Sequence, residues 1–388
     1  MNWIDVISAG PGGAELLTAQ AKAAIENAEA VFCAQRNADL VSPDKRRPLT
    51  PFEDAMAAME GLTHPAVLVS GDAGLYSMLG LLTRRFGREC LRVIPGVSSL
   101  QAFCARLSIP WQNAKILSAH GRDCAPEALC HYARTNPAVL LLLDGEHDPH
   151  WARRSLDAGG LADLPLTVGE RISLPDECIA SYENRPYDPL SVALIQNERP
   201  LPGLPAIGLP DDAFLRGKTP MTKREIRIQV LAALQLPPDA VVWDVGAGTG
   251  SVSVECARQC PLGAVYAVER GGDALALIEQ NKQQFHLQNL HVIPGEAPEV
   301  LADLPAPTHV FLGGTGKRTK EIYDTLPSGV RVVATAVTME SAQEFAALLP
   351  DYEAAQIAVS RLEKVGAYRM FRASNPVFVF SAVKGENP

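Results

Sequence analysis

Short apolar runs, each closed by a loop of small residues and followed by a segment of helical period, recur along the chain. Residues 3–9 (Trp-Ile-Asp-Val-Ile-Ser-Ala) read as a first strand and lead into Gly10-Pro11-Gly12-Gly13. Thr18 then stands where an N-cap belongs, ahead of a helix over residues 19–27. The same pattern returns with strands at 30–33, 66–70 and 91–94, helices over 77–86 and 100–107, and further strands at 115–118 and 138–143. From about Leu164 it changes to short extended runs at 166–168, 179–182 and 192–195, which predict a more antiparallel lobe. Glycines and polar residues gather in the loops at strand C-termini, where open α/β sheets bind ligands.

Asn197-Glu198-Arg199-Pro200-Leu201-Pro202-Gly203-Leu204-Pro205 breaks this order. Repeated Pro and Gly give a semi-rigid link, so domains are expected at 1–200 and 206–388. Beyond it, Thr222 and Glu225 have capping-box spacing, and Ile226, Val230, Leu231 and Leu234 share one face of the following helix. Strands are predicted at 241–245, 264–268, 290–293, 308–312 and 330–334, with 353–360 and 377–383 as the last two.

The stretch 241–251 (Val-Val-Trp-Asp-Val-Gly-Ala-Gly-Thr-Gly-Ser) reads as strand, tight turn and helix start. Glycines let the backbone pass close to a ligand, and a helix start offers free N–H groups to an anionic group. The spacing is Gly-x-Gly-x-Gly, with Ser251 where a dinucleotide fingerprint would have its third glycine. This form, after a strand carrying an acid, looks like the S-adenosylmethionine (SAM) loop of Rossmann-like methyltransferases. Glu269 follows at the end of the next strand, where an acid accepts hydrogen bonds from ribose hydroxyls. In the first half Glu15 occupies the place of a last fingerprint glycine, so that loop does not fit a dinucleotide either. Gly313-Gly314-Thr315-Gly316-Lys317 is not a phosphate loop, because Phe311 stands at its first glycine position and Arg318 follows the lysine; a turn near the substrate is expected there.

The 388 residues are enough for two domains with cores of their own, and 47% hydrophobic with 20% charged residues is a globular balance. A net charge of −9 argues against a broad nucleic-acid footprint. No secretory signal or membrane-length apolar run is visible, and the eight scattered cysteines form no Cys-x-x-Cys pair. Reduced thiols in a cytoplasmic protein without a metal site are the expectation.

In the first half, Gly10-Pro11-Gly12-Gly13, Gly71-Asp72-Ala73-Gly74-Leu75-Tyr76 and Pro95-Gly96-Val97-Ser98-Ser99 occur in the order that resembles a tetrapyrrole (corrin/porphyrin) methylase. Ala9 before Gly10, and Ala73 where many members carry Pro, depart from the usual form. Ser118-Ala119-His120-Gly121-Arg122 and Asp144-Gly145-Glu146-His147 resemble its corrin C5-methylating branch. The second half is similar to the decarboxylating C15 methylases of cobalamin synthesis, through 220–225 (Pro-Met-Thr-Lys-Arg-Glu), 244–250, 295–299 (Gly-Glu-Ala-Pro-Glu), 313–316 and 375–377 (Asn-Pro-Val). The fusion in this order resembles the precorrin-6Y C5,15-methyltransferase (decarboxylating) family. The resemblance implies an α/β fold: a two-lobed tetrapyrrole methylase domain followed by a Rossmann-like class I SAM methyltransferase domain.

It also implies methylation of a corrinoid precursor of the precorrin-6B type at C5 and C15, with decarboxylation of the C12 acetate arm and one SAM site per domain. The implied cofactor contacts of the first domain are Pro11, Ser70, Gly71, Asp72, Leu75, Ser98 and Ser99. Those of the second are Thr222, Asp244, Gly246, Ala247, Gly248, Thr249 and Gly250, with Glu269 at the ribose and Ala297 beside the adenine. A turn acid is the lesser reading of Asp72, and Thr222 reads equally as a helix cap. Arginine and lysine suit a substrate rich in carboxylates. The candidates are Arg122 in the first domain and Lys223, Arg224, Lys317 and Arg369 in the second, with Lys218 and Arg318 beside them; each alone also reads as a solvated surface charge. His120 is the candidate for managing the proton lost at C5, or else a structural histidine. The expected partner is a small tetrapyrrole, not nucleic acid or membrane, and a homo-oligomer is expected. Competing readings are another tetrapyrrole C-methyltransferase, a methyltransferase of RNA or protein, which the acidic balance disfavours, and a non-catalytic SAM-binding sensor or assembly module.

Overall fold

The computed structural model describes residues 3–120, 124–201, 206–349 and 351–385. Its contacts group the chain into two compact units. One comprises Met1–Cys124, Tyr132–Leu156 and Ala162–Leu201; the other comprises Pro202–Pro388 with Ala125–His131 and Asp157–Leu161.

The first unit begins with β1 (Ile4–Ser8), α1 (Ala19–Asn27), β2 (Ala30–Cys33), β3 (Arg46–Pro48), α2 (Phe52–Glu60), β4 (Pro65–Val69), α3 (Leu79–Phe86), β5 (Leu91–Ile94) and α4 (Ser99–Arg106). The strands make a parallel sheet of order β3-β2-β4-β1-β5. Alternation along them supplies both faces: Ile7, Val31 and Leu68 pack with α1, while Val6, Phe32 and Val67 pack with Met59 of α2. Thr18 caps α1, its hydroxyl accepting from the Ala21 N–H at 3.1 Å. Asp5 is the charged residue inside β1. It is wholly buried, and Arg92, its register partner on β5, donates to both its oxygens at 2.6 Å.

A second sheet follows, from β6 (Ala114–Ser118), α5 (Pro126–Thr135), β7 (Ala138–Leu142), α6 (Pro149–Ala158), β8 (Leu166–Glu170), β9 (Cys178–Ser181) and β10 (Ser191–Gln196). Its order is β6-β7-β10-β8-β9, parallel between β6 and β7 and antiparallel elsewhere. The change of lobe therefore comes near residue 114, not near Leu164. β6 and β7 look like the strands before them, but β7 pairs with β10 across five residues.

The second unit contains α7 (Arg224–Leu234), β11 (Val241–Val245), α8 (Ser251–Gln259), β12 (Ala264–Glu269), α9 (Gly272–Gln284), β13 (Leu290–Pro294), β14 (His309–Leu312), α10 (Thr319–Thr325), β15 (Arg331–Ala336), α11 (Met339–Leu348), β16 (Glu353–Ile357), β17 (Ser360–Val365), β18 (Tyr368–Ala373) and β19 (Val377–Val383). A seven-stranded sheet has the order β13-β12-β11-β14-β15-β19-β16, with β19 antiparallel to both its neighbours and the pairs from β13 to β15 parallel. Val242 packs into the core on one face of it, and Trp243 and Val245 into the core on the other. Among the described residues no helix is long and apolar enough to cross a membrane.

Two features depart from the pattern reading. The expected strand over 353–360 ends at Ile357, and the chain then makes a separate ribbon of β17 and β18, whose frequent charges hid it. The predicted capping box at Thr222 does not form. The helix starts one residue later, after Lys223, and the Arg224 N–H is met by the Asp211 carboxylate at 2.9 Å.

Candidate active site

In the second unit the strand order reverses between β11 and β14, and a crevice opens beyond their C-termini. A cavity of about 560 Å³ lies there. Its walls come from the loops after β11 (Gly246, Ala247, Gly248), β12 (Glu269, Arg270), β13 (Gly295, Glu296, Ala297) and β14 (Gly313 to Gly316), and from Thr219 to Lys223 ahead of α7. Gly246 has φ +75°, and a Cβ there would sit 2.3 Å from the Gly314 carbonyl oxygen. The loops after β11 and β14 thus meet backbone to backbone, which glycine permits and other residues do not.

Glu269 fixes the floor of this loop. One carboxylate oxygen accepts from the Gly248 N–H and the other from the N–H groups of Arg270 and Gly271, all at 2.9 Å. Asp244 lies beneath, completely buried, with the Ser253 hydroxyl donating to its Oδ2 and its Oδ1 without a hydrogen-bond partner among the described residues. Burial pushes its carboxyl up to about 7, against the pull of the Ser253 bonds. Asn281, also buried, donates to the Thr249 carbonyl at 3.0 Å and ties the loop to α9.

The wall at Thr219 to Lys223 has no helix or strand of its own, and a buried ion network holds it. Arg227 is wholly buried, donates to Glu255 at 2.7 Å, to Asp211 at 3.2 Å and to the Thr222 carbonyl at 2.6 Å, and also to the Leu209 carbonyl. Its guanidinium lies 4.6 Å from the centre of the Phe214 ring. Glu255 accepts in turn from the Gly208 and Leu209 N–H groups. Burial opposes ionisation of Asp211, but Arg361 and Arg227 outweigh it and hold its carboxyl below the usual range. At the rim Arg270 pairs with Glu296 at 2.8 Å.

In the first unit the loops after β1, β4 and β5 are stapled together. Gly10 and Gly71 exchange backbone hydrogen bonds at 2.8 and 3.2 Å. Asp72 accepts from Gly74 at 2.8 Å and from Gly96 at 3.0 Å. The buried Ser8 hydroxyl donates to the Ile94 carbonyl and accepts from the Ala73 N–H, at 2.7 and 2.8 Å. Ser98 caps α4 in a full capping box with Gln101.

Comparison with known proteins covers both units. The model of the tetrapyrrole (corrin/porphyrin) methylases matches residues 4–182, and that of the precorrin methyltransferase domain matches 212–384. The precorrin-6Y C5,15-methyltransferase (decarboxylating) of Sinorhizobium sp is 29% identical, over 99% of this chain and 97% of that protein. The Mycobacterium tuberculosis protein of the same name is 27% identical over 98% of this chain and 100% of its own length. The cobalt-precorrin-6B C15-methyltransferase (decarboxylating) of Salmonella typhimurium is 38% identical over 46% of this chain and 96% of its own length. The chain belongs to the precorrin-6Y C5,15-methyltransferase (decarboxylating) family.

Within this family member, Thr222, Gly246, Ala247, Gly248, Glu269, Ala297 and Lys223 all line the cavity of the second unit. Asp244, Thr249 and Gly250 do not: they are buried behind the loop, where they shape it rather than face the space. Arg224, Lys317, Arg369 and Lys218 are absent from the wall, and Arg318 is engaged by Glu299 and Glu321, which keep it firmly charged. Arg227 and Arg270 carry structural and rim charges that the pattern reading passed over. In the first unit Gly71, Asp72 and Ser98 fall in the stapled loops with Pro11 and Ser99 next to them in the chain, and Ser70 accepts from Asn37 at 3.1 Å. Leu75 lines a different cavity, of about 820 Å³, with Tyr76, Leu79, Val93 and Ile116. His120 is exposed, its Nδ1 3.3 Å from the Leu143 carbonyl oxygen, while Arg122 lies outside the described residues.

Two outcomes follow for the second unit. Arg227→Met leaves Glu255 and Asp211 short of their buried partner, and should cost about 3–5 kcal/mol in urea unfolding. Adding Glu255→Gln should recover part of that loss; no recovery would mean the two charges are not coupled. For Asp244 the folded pKa is about 7, above the carboxylate's ordinary value. Between about pH 4 and 7 the folded state therefore keeps a proton that the unfolded chain has released, and stability falls as pH rises, by at most about 1.4 kcal/mol per pH unit, levelling off above the folded pKa. Asp244→Asn should remove that slope from a pH series of unfolding midpoints.

Proposed function

We propose that the protein methylates a precorrin at C5 and C15 with SAM and removes the carboxyl group of its C12 acetate arm. The first unit carries the C5 reaction, the second carries C15 methylation with decarboxylation, and the division between them falls at 200–206. The observation that carries this reading is the cavity at the strand-order reversal, where Gly246 and Gly314 meet and Glu269 stands at the next strand end. The two family matches support a small tetrapyrrole substrate, and the net charge of −9 disfavours a broad nucleic-acid footprint; the proposed compartment is the cytoplasm.

The residues present fit SAM in the second unit. A Cβ at Gly246 would strike the Gly314 backbone, so glycine at both positions lines the cavity with backbone rather than side chain. A carboxylate has about four lone-pair sites, and Glu269 spends three on backbone N–H groups, which leaves room for one ribose hydroxyl. Ala297 offers a small apolar surface to the adenine, and Thr222 closes the wall on the other side. SAM when bound supplies a methyl group already activated on a sulfonium. The protein's task is then alignment, which is worth about 7–11 kcal/mol of barrier in well-oriented reactions. Met221, Ile226 and Val377 give the cavity apolar wall, and Lys223 and Arg270 offer cations to the substrate's carboxylates. The conjugated macrocycle itself can absorb the electron pair left by carbon dioxide, so no strong base is required of the chain.

For the first unit the proposed SAM contacts are Pro11, Ser70, Gly71, Asp72, Leu75, Ser98 and Ser99. Asp72 and Ser98 act there chiefly by holding the loops in place, since their oxygens already accept backbone N–H groups. His120, steadied through Nδ1, is proposed to manage the C5 proton with its other ring nitrogen.

Incubation of the protein with SAM and the metal-free precursor, or its cobalt form, should give a product mass with two methyl groups gained and one carbon dioxide lost. No mass change on either substrate refutes the reading. Halves of the chain cut near Pro202 should divide the chemistry between C5 and C15. Gly246→Ala should weaken SAM binding to the second unit at least tenfold in calorimetry, since a strained backbone and a displaced Gly314 together cost more than about 1.4 kcal/mol. Gly272→Ala, where an added Cβ meets nothing within 4 Å, is the control expected to bind normally.

A further inference from the structure

Asp144-Gly145-Glu146-His147 follows the end of β7, and the cofactor contacts proposed for the first unit leave it unused. β7 runs parallel to β6, and the register that pairs Ser118 with Leu142 brings His120 and Asp144 to neighbouring strand ends. The loops after β4 and β5 reach the same place. Leu75 and Val97 pack against the core that holds Leu140, as do Ile116 and Leu142, and the Tyr76 hydroxyl donates to the Ile116 carbonyl at 3.1 Å. The ends of β6 and β7 therefore stand beside the loops proposed to hold SAM in this unit.

Asp144 shapes the turn. Its Oδ1 accepts from the Glu146 N–H at 2.9 Å and from the His147 N–H at 2.7 Å, and its own N–H donates to the His147 carbonyl at 3.2 Å. The same Oδ1 lies 3.5 Å from Nδ1 of His147. That nitrogen is buried, and its approach to Asp144 falls short of a hydrogen bond. A carboxylate oxygen in that place favours the tautomer with the proton on Nδ1, which leaves Nε2 its lone pair. Trp151 sets the plane of the ring: the two rings meet edge to face with centroids 4.9 Å apart, and the Trp151 backbone N–H is held by Asp148 at 2.8 Å. The His147 side chain is 22% exposed, sheltered yet within reach of a ligand. His150, one turn away, shows what a packing histidine looks like here. Its Nδ1 meets the Tyr182 hydroxyl at 2.8 Å and its Nε2 the Arg185 carbonyl oxygen at 2.9 Å, so neither nitrogen is left over. His147 has instead an oriented ring and a nitrogen to spare, and the orienting bond of such a base is commonly long until substrate tightens it.

We propose that His147, aligned by Asp144, is the base that accepts the proton leaving C5, and that the exposed His120 passes it on to solvent. This assignment rests on the C5 reading of the first unit. Methyl transfer uses an electron pair of the ring to form the C5–CH3 bond, and the pair of the broken sulfonium bond stays on sulfur. C5 then carries methyl and hydrogen together. The C5–H pair returns to the conjugated ring as Nε2 of His147 takes the proton. Asp144 is a positioning residue: it holds the imidazole in place and stabilises the imidazolium that forms.

The test is the full-length chain carrying His147→Gln, given SAM and the metal-free precursor. The kcat for C5 methylation should fall about a hundredfold, the scale of a lost general base, while the KM for the precursor and the unfolding midpoint stay unchanged. A product one methyl short, with carbon dioxide still lost, should accumulate. Asp144→Asn keeps an acceptor for both N–H groups of the turn and should lower the same kcat at least about tenfold. Imidazole added to His147→Ala should restore part of the rate, which a packing role would not allow. Nitrogen-15 NMR of the ring reads the tautomer without turnover: the neutral His147 should carry its proton on Nδ1 in the wild type and lose that preference in Asp144→Asn. A wild type that leaves C5 unmethylated counts against the proposed reaction, and the NMR then decides the pair by itself. A proton on Nε2 in the wild type, or a C5 kcat that His147→Gln leaves unchanged, overturns the proposal.

Discussion

A guanidinium with no access to water governs the second unit. Arg227 cannot be left unpaired at an acceptable cost, so every chain segment around it has to present an acceptor. The Thr222 and Leu209 carbonyls, Asp211 and Glu255 do so, and the Phe214 ring covers the group. The path from Gly208 to Lys223, with only a short turn of 3-10 helix at Asp211–Ala213, is therefore set by charge and not by a backbone ladder. That is how a stretch without strand or helix can form a defined wall of the cavity. Such a pair need not stabilise the fold much; it makes any other route of the chain costly.

The two units solve one problem by different means. Loops at the C-termini of parallel strands must be held close together without filling the space they enclose. In the second unit this is done by glycine, where Gly246 and Gly314 touch through backbone atoms, and by Glu269 gathering three N–H groups. In the first, Gly10 and Gly71 also bond backbone to backbone, and short side chains do the rest, with Asp72 linking Gly74 to Gly96 and Ser8 linking Ile94 to Ala73.

Most of the architecture was legible from apolar runs followed by segments of helical period, because the central strands are buried on both faces and many of their loops carry glycine. Thr18 as a cap and the strand–loop–helix at 241–251 were legible for the same local reason. Sheet partners were not, since β6 and β7 carry no mark that distinguishes a strand of the second lobe from one of the first. The ribbon escaped notice because it is held at its base and exposed elsewhere, so no face of it needed to be apolar throughout. Arg227 had a signal that went unread. It stands three, four and seven residues before Val230, Leu231 and Leu234, on the buried stripe of α7, where a charge must have a partner. Glu255, an acid among the small buried residues of α8, is that partner.

The acids that a sequence motif marks as ligand contacts are first of all ligands of their own backbone. Asp244 has no exposed surface and can affect the cavity only through the start of α8. Glu269 is bonded to the Gly248 N–H before any ribose arrives. An amide in its place would have to turn either an NH₂ group toward the Gly248 N–H or one toward those of Arg270 and Gly271, and in both cases donor would face donor. The negative charge at this position is thus required by the loop itself, and contact with a bound molecule draws on what capacity the loop leaves over.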